Sequence, residues 1–281
     1  MHKIELYYKS RVYLRNYASK WDELTTRALI GYADAVAKGL QGTNLVLAVL
    51  YHWLHLPPKL FFQLNVSEME DLTKTVEFLF EKDISCTRLI VKKLFHRGIL
   101  FFGPGENWKN LTVAEYSSAE AYHDAFIESN DEQYKNNLIA ALYRPTNPVR
   151  FIRWFFFRSD IRKKFNDRVA ELRSKRIASM PEKYRNAVLY NFIAYKRSVM
   201  DDNKNLYRKK ENAKFGESIK EDFGWAGVMH SMAGAELGPL EQVEEMNFQN
   251  ALLILRKIDA DVKEAKKKAD QQRDQDKKGR R

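Results

Sequence analysis

The sequence predicts a mainly α-helical fold: a multi-helix domain with a small N-terminal β-element and a β-hairpin near residues 88–102. Three observations predict it. Apolar residues recur at three- and four-residue intervals over most of the chain, as in Leu24, Ala28, Leu29, Tyr32, Ala33 and Val36, which places one apolar stripe along a helix. Three segments, Ser67–Glu70, Thr112–Glu115 and Ser179–Glu182, put a hydroxyl residue three positions before a glutamate, the pattern of a capping box. Two runs rich in β-formers, Ile4–Leu14 and Leu89–Phe102, flank these helical stretches.

Taken in order, Ile4–Tyr8 and Val12–Leu14 read as one or two short strands. Helical spacing begins after Trp21, with Asp22 as the expected N-cap. Gly39 and Gly42 punctuate, and Leu45–Leu56 is a strongly apolar helix ended by Pro57 and Pro58, since proline disfavours helix at the residue before it. Ser67 opens a helix with Leu72, Val76, Leu79 and Phe80 on one face. Gly98 supplies the positive φ of a tight turn between Leu89–His96 and Ile99–Phe102, and Gly103-Pro104-Gly105 closes the hairpin.

From Leu111 onward the chain reads as almost entirely helical. Thr112 opens a helix to about Ser129, and Asp131 opens another, stopped near Pro145. Pro148–Phe157 is irregular or short helix, and Ile161–Ile177 is a basic helix. Ser179 opens a helix to about Val199, with Pro181 tolerated in its first turn. Asp201–Lys214 is polar and loop-rich. Phe215–Leu237 is helical, with Gly224, Gly227 and Gly234 allowing close packing, and Gly238-Pro239 breaks it. The last helix runs from Leu240 past Ile258 and is about 45 Å long if it reaches Gln271. Beyond Val262 the apolar stripe ends and i,i+4 pairs such as Asp259–Lys263 take over, as in a solvated helix that frays into a disordered end. These signals suggest an N-terminal helical region with the hairpin (1–105), a C-terminal helical domain (106–260) and a charged tail (261–281).

Composition excludes several classes. With 281 residues and 44% hydrophobic content the chain can bury a core. One cysteine, Cys86, excludes an internal disulfide and a multi-cysteine zinc site. No run of about 18 apolar residues predicts a transmembrane helix, and the N-terminus lacks a signal-peptide core. The expected setting is a reducing cytoplasm or a particle assembled there, with no membrane partner. The net charge of +11 is local: residues 144–176 carry eleven Lys/Arg against three Asp/Glu, and residues 256–281 eleven against six. The remainder is slightly acidic, which argues against general coating of nucleic acid.

Trp21–Thr25, Phe101–Pro104, Leu111–Tyr116, Leu138–Pro145 and Gly224-Trp225, in that order, resemble an uncharacterised family of proteins in phages and prophages of Bacteroidota-type bacteria. The resemblance covers roughly residues 20–260. It implies a setting among virion and tail-morphogenesis genes, and hence a structural or assembly role in the host cytoplasm or in the virion. Its motifs are structural and carry no active-site residues.

Motif chemistry is sparse. Glu120 and His123 form a single Glu-x-x-His, where a di-iron bundle needs two and further carboxylates. His52 and His55 lack the third and fourth ligands of a zinc site. Asp201–Asn205 lacks the Gly and Glu of a calcium loop, and Gly103-Pro104-Gly105 lacks the Lys of a phosphate cradle. No nucleophile motif surrounds Cys86, which reads as a small buried hydrophobe. No catalytic residue, metal or cofactor is therefore expected. Arg150, Arg153, Trp154, Arg158, Arg162 and Lys163 interleave cations with aromatics. They fit an aromatic core strip, a protein interface, a nucleic-acid surface or a membrane edge. Trp225, Met229, Met232 and Met246 fit helix packing or an adaptable partner site. The resulting expectation is a non-enzymatic, tail-associated phage structural or assembly protein, with virion or tail proteins or itself as partner. The alternative is nucleic-acid binding through 144–176.

Overall fold

The computed structural model describes residues 2–8, 11–54, 58–80, 84–146, 160–204, 224–233 and 237–279. Helices dominate, joined by small antiparallel β-elements. The chain packs as two units, Met1–Asn110 with Ser118–Val199 and Leu111–Ser117 with Met200–Arg281. Neither unit is continuous, whereas the sequence suggests divisions near 105 and 260. The stretch 111–117 joins the C-terminal unit through its backbone: the Val113 N–H donates to the Met246 carbonyl at 3.0 Å, and the Phe248 N–H to that of Leu111 at 2.9 Å.

In the first unit, β1 (His2–Tyr8) pairs antiparallel with β2 (Arg11–Tyr17). Helix α1 (Thr26–Ala37) is capped by Thr25, whose hydroxyl accepts from the Ala28 N–H at 3.2 Å. Asp22 is therefore not its cap. Its carboxylate accepts instead from the Thr87 N–H at 2.8 Å and the Arg88 N–H at 3.1 Å, tying together segments some 65 residues apart. Helix α2 (Gly42–Leu54) approaches α1 closely at Gly31, where a Cβ would stand 2.4 Å from that of His52. A short α3 (Pro58–Phe61) leads to α4 (Val66–Lys74). The capping box is Asn65 with Glu68, two residues upstream of the predicted Ser67. Val76 and Leu79 are buried beyond the end of α4, in and beside a 3₁₀ turn, while Phe80 is exposed.

The hairpin forms from β3 (Lys93–His96) and β4 (Ile99–Phe102). Arg97 and Gly98 both have positive φ, 47° and 76°, as a two-residue type I′ connection requires. The preceding Leu89–Val91 is buried without strand pairing. Asn191 holds it: its Oδ1 accepts from the Ile90 and Val91 N–H groups at 2.8 and 3.2 Å, and its Nδ2 donates to the Arg88 carbonyl at 3.1 Å.

Helix α5 (Val113–Ser129) starts in one unit and ends in the other. Helix α6 (Glu132–Leu142), capped by Asp131, is buried from Lys135 onward. It continues into β5 (Arg144–Pro145), a third strand beside β4 that proline at Pro145 does not signal. Next come α7 (Asp167–Ile177) and α8 (Glu182–Asp202). The predicted helix start at Ile161 is six residues early, because Asn166 caps α7 and Lys163 pairs with the Pro145 carbonyl at 3.0 Å. Ser179 donates to the Arg176 carbonyl at the end of α7, at 2.8 Å. Polar groups seat α6 between its neighbours: Lys135 reaches Asn186 at 2.8 Å, and Gln133 reaches Ser174 at 3.1 Å.

In the second unit, α9 (Gly224–Met232), α10 (Leu240–Glu245) and α11 (Phe248–Gly279) follow. The single helix predicted from Leu240 is two. Met246 turns extended, with ψ of 144°, and Asn247 caps the next turn by accepting from the Gln249 N–H at 3.0 Å. Helix α11 then continues to Gly279, past Gln271, where the sequence suggests fraying. Among the described residues no helix is long and apolar enough to cross a membrane.

Candidate functional site

Wholly within the first unit, a cleft of about 460 Å³ opens between the β3–β4 hairpin, β5 and α7. Ile99, Phe101 and Pro145 line it from the sheet. Val169 and Leu172, one turn apart on α7, line one wall and are 47% and 68% exposed. Among the described residues five cations line the same cleft: Arg97 from the turn, Lys163 from the segment after β5, and Arg173, Lys175 and Arg176 from α7. Among the described residues no acidic residue lines the cleft. Arg173 is buried and donates to the Ala140 carbonyl, whereas the other four cations are exposed. The local field registers on His96, hydrogen-bonded to Ser179 at 2.9 Å. Desolvation first, then the charges of Arg97 and Arg176, hold its imidazole below the ordinary histidine value.

The residues predicted in the basic segment have different fates. Arg150, Arg153, Trp154 and Arg158 lie outside the described residues. Lys163 lines the cleft. Arg162 cannot face a partner, because it is 1% exposed and its donors are engaged inside the fold. Its guanidinium reaches Asp160 at 2.9 Å, the Leu142 carbonyl at 3.0 Å and the Asn110 carbonyl at 2.7 Å. Arg144 stands 3.7 Å from the same Asp160 and donates to the Lys163 carbonyl at 2.6 Å. This buried cluster holds the segment carrying Lys163 beside the end of α6. The sequence reading did not single out Arg97, Arg173, Lys175 or Arg176. The spacing Val169, Leu172, Lys175, Arg176 on one helix face is a local signal for four of the cleft's residues; Arg97 joins them only through the folded hairpin.

In the second unit, Trp225 is buried and meets Tyr116 and Phe248 edge-on, at ring separations of 5.4 and 4.8 Å. Tyr116 and Phe248 stack at 3.8 Å. Met232 is buried, and Met229 and Met246 are half-buried. Trp225 and Met232 are thus packing residues. Among the described residues of this unit, the exposed large apolar side chains lie on α11. Leu255, Ile258, Val262, Ala265 and Ala269 recur at alternating three- and four-residue intervals. Ile258 and Val262 are 43% and 48% exposed, and both alanines are exposed. The apolar stripe therefore thins to alanine beyond Val262 instead of ending there. It has the spacing of a coiled-coil seam, flanked by Asp259–Lys263 and Glu264–Lys268 pairs at 2.6 and 2.7 Å.

The remaining chemical candidates have structural partners. Glu120 is buried 3.4 Å from Lys196, with burial raising its carboxyl above the usual range. His123 bonds to Asp124 at 2.8 Å. His52 lies half-buried against Gly31, and His55 lies outside the described residues. Cys86 is buried and its thiol points to the Asp22 carboxylate at 3.2 Å. Burial, then the Asp22 hydrogen bond and charge, push it up to about 12. Among the described residues, no group of three His, Cys, Asp or Glu is placed to hold a metal ion. In comparisons with family models, curated proteins and solved structures, none matches the chain.

Proposed function

We propose that this chain is a non-enzymatic structural or assembly protein of a bacteriophage, associated with the tail, that works through protein–protein contacts. The observation that carries the reading is α11: 32 residues of helix with an exposed heptad-spaced seam and paired charges beside it. Such a seam is stabilised by packing against another helix. The phage setting comes from the resemblance of the Trp21–Thr25, Phe101–Pro104, Leu111–Tyr116 and Leu138–Pro145 segments. The expected partners are virion or tail proteins, or a second copy of the chain, met in the host cytoplasm and carried into the particle. The test is a pull-down from infected cells with wild type and with the Ile258→Asp/Val262→Asp variant. Wild type should retain virion or tail proteins and the variant should lose them. Equal retention of those proteins by both, or their absence from the wild-type complexes, contradicts the reading.

A further inference from the structure

We propose that the cleft between the β3–β4 hairpin, β5 and α7 is a docking site for an acidic protein segment bearing an aliphatic or aromatic anchor. The inference rests on the reading of the chain as a protein-interaction component, and it assigns that activity a surface and a partner chemistry in the first unit.

Charge is the first ground. Arg97, Lys163, Lys175 and Arg176 gather around one concavity of about 460 Å³, a volume within the usual range for binding pockets. None of the four forms an ion pair with a described carboxylate, although Lys92, Lys135 and Arg185 elsewhere in the same unit do. Like charges held together repel. An incoming carboxylate relieves that repulsion while gaining charge-assisted hydrogen bonds.

The apolar lining is the second ground and selects the class of anion. Leu172 and Val169 present exposed aliphatic surface in the same cleft as the cations, which Ile99 and Pro145 also line. A phosphodiester backbone would satisfy the cations and leave this surface uncovered. Single-stranded bases would need an exposed aromatic platform, but among the described residues the one ring lining the cleft, Phe101, is 1% exposed. An acidic segment with an apolar side chain satisfies both parts. Arginine beside a buried apolar anchor is also the usual make-up of a protein-binding hot spot. The third ground is rigidity. Arg173 on the Ala140 carbonyl, Arg144 on the Lys163 carbonyl and Arg162 on Asp160 fix the walls before any partner arrives, which reduces the ordering cost of binding.

The test is selection of a random twelve-residue peptide library on the intact protein, with depletion on the Arg97→Ala/Lys163→Ala/Lys175→Ala/Arg176→Ala variant. The best peptide is then titrated by fluorescence anisotropy against wild type, that variant and Leu172→Ser. A twenty-nucleotide single strand and a twenty-base-pair duplex serve as competitors. The expected consensus places Asp or Glu around Leu, Phe or Trp. Affinity should fall about tenfold or more in the four-cation variant and about fivefold in Leu172→Ser, without competition by either nucleic acid. All five positions are exposed, and unchanged thermal unfolding of the variants verifies their folding. No enrichment, a consensus without acids, equal binding to the variants, or displacement by DNA overturns the proposal. Ile258→Asp/Val262→Asp should leave peptide binding unchanged. If no peptide is enriched while that variant still loses its partners, the cleft proposal falls and the assembly reading stands.

Discussion

Asn191→Ala should destabilise the first unit by about 4 kcal/mol. Asn191 is fully buried in α8, and its side chain makes three hydrogen bonds to the extended segment 88–91, at 2.8, 3.2 and 3.1 Å. Each is worth about 1 kcal/mol net, and groups left unpaired in the interior raise the loss further. The vacated volume adds about 1 kcal/mol. For a unit of roughly 190 residues, each kcal/mol lowers Tm by about 2–4 °C, so the expected drop is about 8–16 °C. Urea unfolding gives the free-energy change, and hydrogen exchange of the Ile90 and Val91 amides locates it. A loss below about 1 kcal/mol with unchanged amide protection would refute the assignment of Asn191 as the clamp on this segment.

Other expectations are as specific. Cys86, buried and raised to about 12, should react with iodoacetamide at pH 8 only after unfolding; rapid native-state alkylation would contradict its placement. His96 should titrate below its ordinary value by NMR, and its pKa should rise in Arg97→Ala and Arg176→Ala, which remove two of the causes of the depression. Because the folded-state value is the lower one, the folded protein binds fewer protons than the unfolded chain. The contribution of His96 to stability is therefore present above the unfolded value of about 6.5 and declines as pH falls through that value toward the folded one. Arg162→Ala should cost about 3–5 kcal/mol, because it leaves the buried side of Asp160 and the Leu142 and Asn110 carbonyls without their donor; an unchanged denaturation midpoint would place Arg162 on the surface.

Periodic signals made the helices legible, because a stripe of apolar residues at three- and four-residue spacing has few alternatives. Gly98 made the hairpin turn legible for a similarly local reason. The caps were harder. Asn65 rather than Ser67, and Thr25 rather than Asp22, start their helices because tertiary partners decide which side chain is free to cap: Asp22 is taken by residues 87 and 88. The two-residue strand Arg144–Pro145 and the split at Met246–Asn247 depend on pairing with β4 and with residues 111–113, which no local window contains. The basic character of 144–176 was visible as composition, but not its partition. Folding sends Arg144 and Arg162 inward onto Asp160, leaves Lys163, Lys175 and Arg176 at the surface, and adds Arg97 from far upstream.

The most direct test of the functional account is quantitative mass spectrometry of purified phage particles and their assembly intermediates, with the chain supplied as wild type or as Ile258→Asp/Val262→Asp. The account predicts wild-type chain in intermediates or particles together with tail proteins, and a loss of about tenfold or more for the variant, whose two aspartates place charge on an apolar helix seam. Wild-type chain absent from every virion-protein complex, or a variant incorporated as well as wild type, would contradict it.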